Sequence, residues 1–195
     1  MTSTLTPSSF ARPAAPATSR SAWIMQPRPV PQARLRLFCF PYAGGSASIY
    51  RTWQAELLPG IEVLPVQLPG REGRMREQAF TRLTPMMATL ADALAPWMTM
   101  PFVFFGHSMG ALISFELTRL LRVQRRTLPL QLLVSGRIAP QIPDPEPPLH
   151  HLPREQFIAR LRKLNGTPEE VLNDADLFDL LQPLLRADFE VNETY

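Results

Sequence analysis

At 195 residues and 45% hydrophobic composition, the chain suits one domain with a sizeable core. The formal net charge is only +3, and Lys163 is the lone lysine among 20 basic residues, so the balance gives no reason to expect a nucleic-acid partner. The single cysteine, Cys39, rules out an internal disulfide framework, and no apolar run reaches the ~18 residues of a membrane span. The clustered Cys and His ligands of a metal site are missing from the sequence, so no metal or redox cofactor is expected. With no apolar block of a secretory signal at the amino end, the expected compartment is the cytoplasm.

Residues 1–32 are rich in Pro, Ser, Thr and Ala without a periodic apolar face, and predict a disordered extension. No acid precedes Glu56, so the positive excess sits at this end. The Arg and Ser content is that of an organelle transit peptide, but Pro13, Pro16, Pro27, Pro29 and Pro31 argue against an amphipathic helix, and Met25 is an alternative start. The domain proper is expected over 33–195. Arg34–Phe40 alternates and then turns continuously apolar, as a strand entering a buried parallel sheet does. Ser48–Leu58 predicts a helix with Ile49, Trp53 and Leu57 on one side, and Ile61–Val66 the next strand.

A polar, glycine-rich loop, Gln67–Arg76, leads to a helical pattern over Leu83–Trp97 and a buried strand over Pro101–Phe105. Gly106-His107-Ser108-Met109-Gly110 follows, then a helical run from Ala111 to Leu121. Between strand and helix, G-x-S-x-G reads as a nucleophile elbow, in which glycines flank the serine because the turn leaves no room for side chains. Leu128–Ser135 supplies a fourth strand, so the pattern predicts a doubly wound α/β sheet. Ala139–Pro153 then holds six prolines and is followed by helical stretches near 154–164, 168–173 and 176–186. This insertion, about 139–186, is expected either to form a lid over the catalytic face or simply to pack as helices.

Acyl chemistry at a serine needs a base, an acid to orient it, and two oxyanion donors. Met109 N–H at the helix start is one expected donor. The loop Pro41–Ser46 after the first strand lies beside the elbow in this topology and offers Ala43 N–H, with Gly44 N–H as the alternative. A phosphate-cradling loop is the rival reading, but the P-loop lysine is absent. The only histidines are His107, His150 and His151. His107 is expected to support the elbow, and the other two precede most candidate acids, against the serine–acid–histidine order of this kind of sheet. Asp144, Asp174, Asp176, Asp179 and Asp188 are candidate acids, each explained as well by a surface or capping role.

Four blocks carry a family resemblance: LFCFPYAGGSASIYRTW at 37–53, VQLPGREGRMRE at 66–77, FFGHSMGALISFEL at 104–117 and LLRADFEVNETY at 184–195. The chain resembles the type II thioesterases of polyketide and nonribosomal peptide synthesis, α/β-hydrolases with a mostly parallel sheet and a helical lid. The resemblance implies hydrolysis of acyl or aminoacyl thioesters from the phosphopantetheine arm of carrier proteins, with Ser108 as nucleophile, Met109 and Ala43 in the oxyanion hole, and no cofactor of the enzyme's own. It makes acidic acyl or peptidyl carrier proteins the partners, with Arg71, Arg74 and Arg76 as steering charges unless they form a solvated basic loop. It also places the triad acid and histidine on strands beyond the last block, so that both residues and the final strands are expected to be missing from this chain, leaving an apolar sheet edge and an inactive or very slow serine. A generic carboxylesterase or acyltransferase, and a catalytically dead carrier-binding module, are the alternatives.

Overall fold

A computed structural model describes residues 21–25, 29–142 and 146–195. Four strands form one parallel sheet: β1 (Leu35–Phe40), β2 (Ile61–Pro65), β3 (Phe102–His107) and β4 (Leu132–Ser135), in the order β2-β1-β3-β4. The chain winds outward from β1 to β2, crosses back to β3, and continues outward to β4. Connections therefore diverge between β1 and β3, and the loops after these two strands flank the crevice where such sheets bind ligands.

One sheet face carries Phe38, Phe40, Phe102 and Phe104, whose rings meet edge to face at 5.2–5.6 Å for Phe38–Phe102, Phe38–Phe104 and Phe40–Phe104. Against it pack α2 (Leu83–Leu94), through Met86, Leu90 and Leu94, and α3 (Met109–Val123), through Leu112, Ile113 and Leu117. The opposite face, with Leu37, Cys39, Val63 and Val103, is covered by Tyr50, Trp53 and their neighbours.

The predicted helix over Ser48–Leu58 is broken. A 3-10 turn (Ala47–Tyr50) is followed by a single helical turn, α1 (Trp53–Glu56). Polar side chains compete for the backbone here. The Tyr50 hydroxyl donates to Phe40 C=O at 2.8 Å, and the Gln54 amide donates to Ile61 C=O and accepts from Val63 N–H, each at 2.9 Å. Ile49, Trp53 and Leu57 nevertheless face the sheet as their spacing predicts.

The expectation of disorder over 1–32 is corrected at its end, while residues 1–20 and 26–28 lie outside the described residues. Trp23–Met25 runs antiparallel along β2: Met25 N–H donates to Pro65 C=O and Gln67 N–H to Trp23 C=O, both at 2.9 Å. Ile24 enters the main core at 6% exposure, and the Arg74 guanidinium stacks over the Trp23 ring at 3.9 Å. An isolated bridge at Ile24 has too little periodicity to stand out within a proline-rich stretch. Because Ile24 is buried, Ile24→Ala is expected to lower stability by about 2–5 kcal/mol, read from urea denaturation midpoints.

At the other edge, β4 is shorter than the predicted 128–135 and carries Leu133 at 44% and Val134 at 60% exposure, the open apolar edge expected from the sequence. After β4 the chain is helical among the described residues: α4 (Arg154–Leu164), α5 (Glu169–Asn173) and α6 (Ala175–Glu193). These helices share a core of Leu149, Phe157, Leu161, Leu172, Phe178 and Leu185, separate from that of the sheet. Near its end α6 returns to the main core through Val191. No helix among the described residues is long and apolar enough to cross a membrane.

Candidate active site

Ser108 connects β3 directly to α3 with φ +53° and ψ −114°, a conformation that a non-glycine residue holds only where its surroundings enforce it. The enforcement is visible on both sides. A Cβ added at Gly106 would lie 2.0 Å from Gly110 C=O oxygen, and one added at Gly110 would lie 2.0 Å from Phe40 C=O oxygen. The turn is pinned by Ser108 N–H donating to Ser135 C=O at 2.8 Å, and Ala111 N–H returns to Ser108 C=O at 3.0 Å. Met109 N–H is the first of α3, among the amides with no partner inside the helix.

Ser108 opens on a cavity of about 520 Å³. Tyr42, Ala43 and His107 line it from the sheet side, and Leu149, Leu164 and Phe189 from the helical side. The helical segment therefore roofs the cavity on which Ser108 opens. The structure thus brings Ala43 to the serine's own cavity. Gly44 N–H, the alternative oxyanion donor, is already engaged with Asp188 Oδ2 at 2.7 Å.

All three histidines are described, and none hydrogen-bonds Ser108. His107 Nδ1 meets the Ser135 hydroxyl at 3.1 Å and its ring stands edge-on to Tyr42, which is the supporting role expected of it. His150 is buried, its Nδ1 against Glu193 Oε2, while Leu149 and His150 N–H donate to the same carboxylate at 2.8 and 3.1 Å. His151 is exposed. Of the candidate acids, Asp174 caps α6 by accepting from Leu177 N–H at 2.9 Å, Asp179 pairs with Arg154, Asp176 is exposed, and Asp144 lies outside the described residues. Cys39 is no rival nucleophile, because burial pushes its thiol far above the usual range.

Two of the three presumed steering arginines are internal, which corrects that reading. Arg71 is 3% exposed and forms a two-pronged pair with Asp188, Nη1 to Oδ2 at 2.9 Å and Nη2 to Oδ1 at 2.8 Å. Arg74 is 8% exposed, paired with Glu77 and Trp23. Only Arg76 is on the surface. The Arg71–Asp188 pair, which braces the Ala43 loop, had no local signal in the sequence.

The family model of the thioesterase domain matches residues 35–195. The chain is 50% identical over 173 residues to the gramicidin S biosynthesis protein GrsT of Aneurinibacillus migulanus, covering 89% of this chain and 68% of that protein. It is 49% identical over 180 residues to a Brevibacillus parabrevis protein named linear gramicidin dehydrogenase LgrE, covering 91% and 68%. That name notwithstanding, the loop Pro41–Ser46 lacks the G-x-G-x-x-G spacing of a dinucleotide site. The solved structure of the type II thioesterase BorB from the borrelidin biosynthetic cluster superposes with a TM-score of 0.79 at 39% identity, covering 92% of this chain and 73% of that one. With its doubly wound sheet, elbow serine and helical roof, the chain belongs to the thioesterase domain family of α/β-hydrolase enzymes, among the type II thioesterases of nonribosomal-peptide and polyketide synthesis.

Proposed function

We propose that the chain acts on acyl or aminoacyl thioesters carried by the phosphopantetheine arm of acyl or peptidyl carrier proteins, in the cytoplasm, through an acyl-enzyme on Ser108. The observation that carries this is the strained Ser108 turn opening on the same cavity as Ala43. In the acyl-transfer step Ser108 Oγ attacks the thioester carbonyl, the tetrahedral oxyanion is held by Met109 and Ala43 N–H, and collapse breaks the C–S bond, the departing pantetheine sulfur leaving as a thiol with the proton that Ser108 Oγ gives up. Water then attacks the ester and releases the carboxylic acid. The helices over the cavity serve as the lid past which the pantetheine arm enters. The substrate is carried by its partner, so the reaction needs no cofactor of the enzyme's own.

A second reading, a carrier-binding module with little turnover, is favoured by the absence of any hydrogen bond between Ser108 and the three histidines. Incubation with an acylated carrier protein and with p-nitrophenyl acetate, followed by intact mass of the protein, separates the possibilities. The expected result is preference for the carrier-bound thioester and an acyl adduct confined to Ser108. Preference for the oxygen ester overturns the carrier assignment, and hydrolysis surviving Ser108→Ala overturns the serine mechanism. Carrier binding with no adduct identifies the binding module.

A further inference from the structure

We infer that Arg71 and Asp188 are positioning residues that aim the Ala43 N–H at the oxyanion, tying the donor loop to the long helix α6. The inference rests on the reading of Ser108 as the acyl-enzyme nucleophile. Its physical basis is the geometry of a single peptide plane. The Tyr42–Ala43 peptide carries both Tyr42 C=O and Ala43 N–H, and in a trans peptide these point in opposite directions. Gly45 N–H donates to Tyr42 C=O at 2.9 Å, which turns that oxygen into the loop and directs Ala43 N–H outward. Ala43 lines the Ser108 cavity.

The turn is held at its other two groups by the ion pair. Gly44 N–H donates to Asp188 Oδ2 at 2.7 Å, and Gly45 C=O accepts from Arg71 Nη1 at 2.8 Å. Arg71 also donates from Nε to Pro69 C=O at 3.2 Å, and its own C=O accepts from the Gln67 amide at 3.1 Å. The side chains of Arg71 and Asp188 are 4% and 1% exposed, so water does not compete for these bonds. Gly44 sits at φ +77°, a backbone conformation that residues with side chains rarely adopt, and an added Cβ would stand 2.6 Å from Leu185 Cδ2 on α6, which would have to shift. The bracing thus consumes Gly44 N–H as a possible oxyanion donor and leaves Ala43 N–H as the one presented by this loop.

The test uses the full chain, ¹⁵N-labelled, with Ser108 phosphonylated by excess fluorophosphonate over a long incubation so that the phosphonyl oxygen stands for the oxyanion. In the unaltered protein the Ala43 and Met109 amide protons both shift downfield on phosphonylation. In Asp188→Ala the Met109 shift persists while that of Ala43 shrinks, and Arg71→Lys, which keeps the charge but loses the fork, falls between. Hydrogen exchange at Gly44 in the unreacted chain becomes roughly tenfold or more faster in Asp188→Ala. The double variant Arg71→Met/Asp188→Leu removes both charges together and is read the same way if the single variant fails to fold. A phosphonate shift at Gly44 instead of Ala43, an Ala43 shift unchanged in both Asp188 variants, or a fast-exchanging Gly44 amide in the unaltered protein overturns the inference. If Ser108 accepts no phosphonate at all, the nucleophile reading falls instead, and Gly44 exchange still decides the bracing.

Discussion

The 195-residue chain is expected to release acyl groups from a carrier protein roughly 10⁶-fold more slowly than a thioesterase with a complete serine, histidine and acid set. The reason is the whereabouts of its three histidines. His107 follows Gly106 on the strand side of the elbow and spends Nδ1 on the Ser135 hydroxyl, with Gly136 so close that an added Cβ there would stand 2.5 Å from His107 Cε1. His150 is committed to Glu193, and His151 is on the surface. With no histidine hydrogen-bonded to it, Ser108 lacks the imidazole that takes the proton in a complete set. What survives is oxyanion stabilisation and substrate binding, which in triad-stripped hydrolases still gives about 10³–10⁴ over water. The measurement is thiol release from an acylated carrier protein, alongside the rate of fluorophosphonate labelling at Ser108. Because Ser108 opens on a cavity of about 520 Å³, imidazole added to the medium has room to enter and is expected to raise both rates. Labelling at the rate of a complete triad would mean that another group in this chain deprotonates Ser108.

Periodicity and turn chemistry made the sheet legible in the sequence, since four apolar strand signals alternating with helical runs admit few windings. The elbow was legible for the same reason: its glycines are demanded by backbone contacts that no other residue tolerates. The reading failed where side chains, rather than spacing, decide the backbone path. Tyr50 and Gln54 draw the Ser48–Leu58 segment onto the strands through their polar ends, and no apolar pattern records such bonds. Arg71 failed in the opposite sense. An arginine in a glycine-rich polar loop looks solvated, and its partner Asp188 lies 117 residues away, so nothing local marks the pair as buried. Breaking that pair from one side is expected to be costly, about 3–5 kcal/mol for buried ion pairs in general, because the remaining charge keeps its desolvation penalty. Asp188, for which a surface or capping role was expected, is instead fully buried on α6, and what it does there depends on which backbone amide it meets.

Gly110→Ala is expected to cost at least about 4 kcal/mol and to leave little folded protein, while Gly73→Ala and Gly166→Ala stay within about 0.5 kcal/mol of the parent. All three add one methyl group, so the contrast isolates where it lands. At Gly110 the new Cβ would sit 2.0 Å from Phe40 C=O oxygen and 3.0 Å from that of Pro41, both main-chain atoms at the end of the central strand β1. Relief would require α3 to move away from β1, and α3 carries Leu112, Ile113 and Leu117 into the main core. Ordinary overpacking costs about 1–3 kcal/mol because side chains can rotate away, whereas a carbonyl within a paired strand cannot. Gly73 and Gly166 have nothing within 4 Å of an added Cβ. Gly106→Ala should resemble Gly110→Ala, since its Cβ would meet Gly110 C=O oxygen at 2.0 Å. Urea denaturation followed by far-UV circular dichroism gives the comparison. With domains stable by only about 5–15 kcal/mol, a loss of 4 approaches the whole margin. The same close approach of β1 and α3 that makes Gly110 irreplaceable sets Ala43, just past β1, at the cavity of Ser108, which leads into α3. A variant that tolerated a methyl at Gly110 by parting these elements would therefore also separate the two proposed oxyanion donors, Ala43 and Met109, and any folded residue of Gly110→Ala should label at Ser108 more slowly than the parent.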